Sequence, residues 1–215
     1  MNKTRFLIAI LSVFLLQWQA QAQSTETPKF EVAAEFTTLE REDFSGTGTT
    51  PGGGARFTFN LNRMISLETA GYFFPRQCSS CRNNGNVTEV LGGVKIGKRF
   101  EHWGIFGKAR PGVVSFSRGQ FTLRPAPSIT GFPFQFFPER LTSFATDVGG
   151  VVEFYPSKHL VTRFDAGDTI IHFGPRPVEV IAFDAATSTF SLVPFTLPSR
   201  TTHNFQFVTS VGFRF

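Results

Sequence analysis

From Asn204 to Phe215 the chain alternates without a break. Phe205, Phe207, Thr209, Val211, Phe213 and Phe215 fall on one side, and Asn204, Gln206, Val208, Ser210, Gly212 and Arg214 on the other. A period of two describes a β-strand with two differently solvated faces. Four phenylalanines on one face do not suit a strand washed by water. They suit one whose outer face meets lipid while its inner face meets a polar lumen.

The same alternation predicts seven further strands, over residues 30–38, 55–61, 65–74, 88–96, 103–114, 144–155 and from 160 onward. In the first, Phe30, Val32, Ala34 and Phe36 oppose Glu31, Ala33, Glu35 and Thr37. Pro111 has no amide to donate, so a bulge or bend is expected there. Asp168 counts to the lipid face, which leaves two alternatives: it has reached headgroup level, or Gly167 marks a bulge that turns it inward.

The connections sort by length. Residues 62–64, 97–102 and 156–158 are short; 39–54, 75–87, 115–143 and 173–201 are long, and the two kinds alternate. Short periplasmic turns and long external loops produce that rhythm in an outer-membrane barrel. The expected fold is all-β, an eight-stranded antiparallel up-and-down transmembrane β-barrel with both ends of the barrel chain on the periplasmic side. Two more strands within 178–195, where Val178–Phe183 and Phe190–Phe195 alternate, would make ten. The alternative is an extramembrane hairpin.

Lys3 and Arg5, the apolar run Phe6–Leu16 and Ala20-Gln21-Ala22 have the order of a cleaved signal peptide over residues 1–22. The barrel domain is then 23–215. After residue 22 no apolar run approaches the ~20 residues a spanning helix needs, so strands in a closed barrel must make any crossing.

The net charge of +5 falls to +3 once Lys3 and Arg5 are removed, and the remaining basic residues are scattered. A nucleic-acid partner is not indicated. Phenylalanine is the unusual component, 28 of 215 residues, many near strand ends where aromatic girdles form.

Taken together, the leader, eight alternating strands, turn-loop rhythm and terminal Phe215 resemble the small outer-membrane β-barrel family that includes the OmpA-type transmembrane domain and the OmpX-like barrels. The resemblance covers the whole of 23–215. It implies export to the bacterial outer membrane, contact with its lipid and lipopolysaccharide, and recognition of Phe205, Phe207, Val211, Phe213 and Phe215 as an assembly signal by the barrel-assembly machinery. The chain departs from OmpA-type proteins in ending at the barrel.

By parity the lumen receives Glu31, Glu35, Glu68, Asp147, Glu153 and Asp165 with Arg56, Lys95, Lys108, Arg110, Arg163 and Arg214. Eight strands leave an interior that side chains just fill, and buried charges must pair. One reading is a structural salt-bridge plug. The other is a narrow gated pore in which Lys108, Arg110, Arg163 and Asp165 exchange partners.

Cys78 and Cys81, the only cysteines, stand in an external loop and are expected to form a disulfide in an oxidising compartment. No metal set or cofactor motif accompanies them, and neither metal nor cofactor is expected. Among the histidines, His172 and His203 face outward near the external rim, with Asp168 and Ser199 nearby, but no nucleophile motif surrounds them. The expected role is therefore non-enzymatic, structural or adhesive, with an external protein or surface ligand met by 115–143 and 173–201, where Phe132, Phe134, Phe136 and Phe137 cluster among prolines. A pore for ions or small solutes is the alternative, and an outer-leaflet lipid-modifying enzyme the third. A monomer is expected.

Overall fold

The computed structural model describes residues 27–43, 46–75, 85–125, 134–186 and 188–215. Ten strands follow in chain order: β1 Phe30–Asp43, β2 Gly46–Asn60, β3 Ile65–Phe74, β4 Val87–Arg99, β5 Trp103–Pro125, β6 Phe134–Phe154, β7 Leu160–Phe173, β8 Arg176–Asp184, β9 Thr189–Leu197 and β10 Arg200–Arg214. Eight close a barrel in the order β1-β10-β7-β6-β5-β4-β3-β2, every pair antiparallel. β8 and β9 form a separate two-stranded sheet, so the hairpin reading of 178–195 holds and the ten-stranded barrel does not. No described helix is long and apolar enough to cross a membrane.

Alternation becomes geometry around the whole wall. Val32, Phe36, Phe57, Val90, Ile105, Phe144, Phe164, Val211 and Phe213 point outward and exposed, while their sequence neighbours point inward and are buried. Apolar surface of that extent is unfavourable in water and favourable in acyl chains. Below it lies an aromatic girdle. Phe30 stacks on Phe59 at 5.3 Å and meets Phe215 at 5.8 Å, and Phe100 stacks on Trp103 at 4.3 Å.

The strands at the long-loop end run well past the expected boundaries. β1 and β2 stay paired up to Asp43 opposite Gly46, so the connection expected over 39–54 shrinks to two residues. The glycines and threonines of 46–54 read as a loop because they carry no hydrophobic alternation. Their backbone nonetheless pairs, and Gly54 must lack a side chain: a Cβ there would lie 2.5 Å from the Tyr72 ring. Likewise 115–143 is mostly strand, because β5 and β6 pair from Trp103 opposite Phe154 up to Pro125 opposite Phe134. β4 pairs β5 no farther than Phe116, and β7 pairs β6 no farther than Phe144. The remainder of β5 and β6 is thus a two-stranded ribbon standing above the barrel.

The irregularity expected at Pro111 lies elsewhere. The β4–β5 ladder skips Gly92 and Gly93 opposite Pro111 and Arg110 yet keeps the same register from Leu91↔Gly112 to Val94↔Ala109, so the missing amide interrupts the ladder without shifting it. The register shift in β5 falls between Phe116 and Gln120, where the ribbon leaves the wall. Nor is there a bulge at Gly167, since Gln206↔Gly167 and Phe205↔Asp168 are in step. Asp168 stays outward. At about 3.4 Å per residue and a tilt of about 40°, the strand climbs roughly 20 Å from Leu160 to Asp168, close to the upper edge of an apolar band about 25 Å tall.

Candidate functional site

Inward parity on eight strands delivers charged side chains into one narrow space. All twelve residues assigned to the lumen from the sequence lie inside the barrel and are buried. Arg163 on β7 reaches Glu68 on β3 through Nη1–Oε1 at 2.5 Å and Nη2–Oε2 at 3.2 Å, and donates to Asp165 Oδ2 at 2.8 Å. Arg56 donates through Nε to Glu35 at 2.8 Å. Lys95 is bonded to Glu153 and stands 3.3 Å from Glu68. Lys108 bridges Asp147, at 2.7 Å, and Asp165. Arg110 holds Asp147 Oδ2 through Nε at 2.9 Å and Nη2 at 2.5 Å. Arg214 approaches Glu31 at 3.5 Å.

Further side chains join this network. Glu89 is buried and accepts from Gln206 Nε2 at 3.0 Å; Arg99 meets Glu31 at 3.5 Å. Tyr72 donates to Glu35 Oε2 at 2.7 Å and Tyr155 to Glu153 Oε2 at 2.9 Å. Glu89 shares the parity of Lys95 and was legible. Arg99 has that parity too, but sits beyond the strand end expected at residue 96. The tyrosines gave no signal, because an aromatic residue in such a strand is expected outside. With Glu89 and Arg99 included, seven acids face seven bases, so the ionised network carries no net charge.

Toward the loop side the lumen changes character. Leu39, Phe74, Val87, Leu91, Val114, Ala145 and Ile171 form a buried apolar cluster against which Phe116 and Phe173 pack. Ions are strongly disfavoured in such a layer. The interior is thus an ion-pair network on the turn side and a mainly apolar layer toward the loop side, into which Glu89, between Val87 and Leu91 on β4, and Gln206 project.

On the outer face near Asp168, His203 Nδ1 lies 2.5 Å from Asp168 Oδ2, and the Asn204 amide donates to Asp168 Oδ1 at 2.9 Å. His172 Nδ1 lies 3.1 Å from the Thr201 hydroxyl. Ser199 enters neither contact. Acyl transfer by a hydroxyl needs the carboxylate-oriented imidazole beside the nucleophile. Here the histidine held by Asp168 and the one beside Thr201 are different residues. The described residues hold no group of three or more His, Cys, Asp and Glu suited to a metal ion.

The terminal-strand residues lie where alternation puts them: Phe205, Val211, Phe213 and Phe215 outward and exposed, Phe207 half-buried. Phe215 and Phe30 exchange two backbone hydrogen bonds of 2.9 Å. Residues 1–22, Cys78, Cys81 and Phe132 lie outside the described residues.

Two features rise above the wall. In the β5–β6 ribbon Arg124 stacks on Phe137 at 4.9 Å and lies 3.8 Å from Glu139. In the β8–β9 hairpin Val180 opposes Val193 and Phe183 opposes Phe190, with ring centroids 5.0 Å apart. Register places Val178, Val180, Val193 and Phe195 on one face and Ile181, Phe183, Phe190 and Leu192 on the other. Val180, Phe183, Phe190, Val193 and Phe195 are all exposed.

No protein-family model matches the chain, and no curated protein sequence does. Among solved structures, Neisserial surface protein A superposes with a TM-score of 0.53 at 10% identity, covering 87% of this chain and 97% of that one. Ail, the attachment invasion locus protein of Yersinia pestis, matches at 0.47 and 15% identity over 88% of this chain and all of its own. The N-terminal β-barrel domain of Pseudomonas aeruginosa OprF matches at 0.42 and 10% identity, again over 88% of this chain and all of its own. The fold is that of the small eight-stranded outer-membrane β-barrels.

Proposed function

We propose that this chain is an integral outer-membrane protein whose barrel is a sealed, non-catalytic stand for external ribbons that bind a partner. One observation carries the reading: the β8–β9 hairpin is apolar on both faces and stands outside the barrel sheet. A two-stranded hairpin is marginal alone in water, and exposed apolar surface of this kind favours association. Among the described strands neither β8 nor β9 pairs with a third, and an outer edge of such a sheet can take an extended partner segment. The interior supports the same reading, because ion pairs and an apolar layer occupy the space a pore would need.

Export through cleavage of residues 1–22, recognition of the Phe205–Phe215 strand by the assembly machinery, contact with lipopolysaccharide and a Cys78–Cys81 disulfide belong to the same proposal. The test is to replace residues 178–195 by a short Gly/Ser link and display both proteins on cells. Attachment of those cells to host surfaces and matrix proteins is expected to be lost while heat-modifiable gel mobility is kept. Equal attachment by the two proteins would overturn the reading.

A further inference from the structure

We propose that the periplasmic mouth of the barrel is a binding site for a phosphate-bearing anion. Beneath the ion-pair network, at the end where the short turns lie, the wall encloses an open cavity of about 1080 Å³. Lys29, Arg63 and Lys158 stand on its rim, and Arg99 and Arg214 form its inner wall. Glu101 is the one acidic side chain that lines it. Arg99 and Arg214 belong to the balanced network above, so the excess of positive charge at this mouth comes from Lys29, Arg63 and Lys158 against Glu101.

The two arginines are built in. Their side chains are 5% and 3% exposed. Tyr155 fixes both: its hydroxyl accepts from Arg99 Nε at 3.0 Å, and the Arg214 guanidinium lies 4.2 Å from its ring centre. Arg99 Nη2 is spent on Asn60 Oδ1 at 3.2 Å and Glu31 Oε1 at 3.5 Å. Among the described residues its Nη1 is buried without a hydrogen-bond partner, while Arg214 Nε, which makes no hydrogen bond either, stands 3.5 Å from Glu31 Oε1. A buried, unused N–H of a cation is costly and is stabilised most by an anion. One carboxylate brings a single charge, whereas a phosphate brings up to two with three acceptor oxygens, a better match to two fixed guanidinium groups ringed by three further cations.

Such a phosphate can come from a free ester in the periplasm or from the headgroup of an inner-leaflet lipid. The experiment titrates pyrophosphate into the full barrel refolded in maltoside micelles at low salt, followed by calorimetry. Saturable one-site binding is expected, weakened at least tenfold by Arg99→Gln and by the rim variant carrying Lys29→Gln, Arg63→Gln and Lys158→Gln. The rim variant decides the matter if Arg99→Gln does not fold. Competition by glycerol phosphate assigns a free ester, and competition by short-chain phosphatidylglycerol alone assigns a headgroup. Absence of saturable heat, or binding that neither variant weakens, overturns the proposal.

Discussion

Arg163 and Glu68 grip each other across the full diameter of the barrel. Their strands, β7 and β3, stand four places apart in a ring of eight, yet the side chains meet at 2.5 Å. Gln206 and Glu89 form a second such bridge between β10 and β4. These cross-braces tie walls that share no backbone hydrogen bond.

Removing one end of the first brace should therefore be severe. Arg163→Ala leaves Glu68 and Asp165 buried with a partner missing, and a loss of about 3 kcal/mol or more is expected in urea titrations of refolded protein. Glu68→Leu combined with Arg163→Leu should not restore stability, because Arg56 and Lys95 also rely on Glu68. Full recovery in the double variant would show that the pair acts alone.

Gly149 and Gly150 make a sharper comparison, being neighbours on opposite faces of β6. A Cβ on Gly149 would lie 2.3 Å from the Ala166 carbonyl oxygen, whereas one on Gly150 meets nothing within 4 Å. Gly149→Ala should slow refolding and lower the urea midpoint, and Gly150→Ala should leave both within error of the parent. Equal effects would mean that the close approach of β6 and β7 is not what requires glycine.

The apolar layer predicts silence in planar bilayers. Leu91→Ser with Ile171→Ser introduces hydroxyls into that layer and should produce small, flickering conductance above an unmodified baseline. Stable openings in the unmodified protein would return the pore reading to first place.

Changing Phe215 to Ser removes an exposed ring of the lower girdle and the partner of Phe30. Surface levels in cells are expected to fall several-fold, while refolding into micelles is affected little. Undiminished surface levels would detach this residue from assembly.

Much of this was legible because one periodicity governs the wall. A residue's parity is enough to say that Lys108 is inside and Val113 outside. Parity says nothing of which inward groups touch across the lumen: it puts Arg163 and Glu68 inside without showing that Arg163 makes its shortest contact with Glu68. Strand ends were least legible where polarity stops alternating. Gly46–Gly54 and Gln120–Pro125 are paired in the backbone ladder, outside the region where lipid enforces a two-faced pattern. Arg99 was lost for the same reason at the opposite rim.

The seam between β1 and β10 pairs Glu31 with Arg214 and Leu39 with Gln206, residues about 170 to 180 positions apart. No other pair of adjacent strands is so distant in the chain, so the entropy of joining them is the largest in the molecule. Glu31, Glu35 and Gln206 sit on the strands of that seam, and until it closes their polar groups remain hydrated. Dehydration of the charges and closure of the wall then occur as one event. Opening this seam breaks the β1–β10 ladder and exposes Glu31, Glu35 and Gln206 to water at the same place.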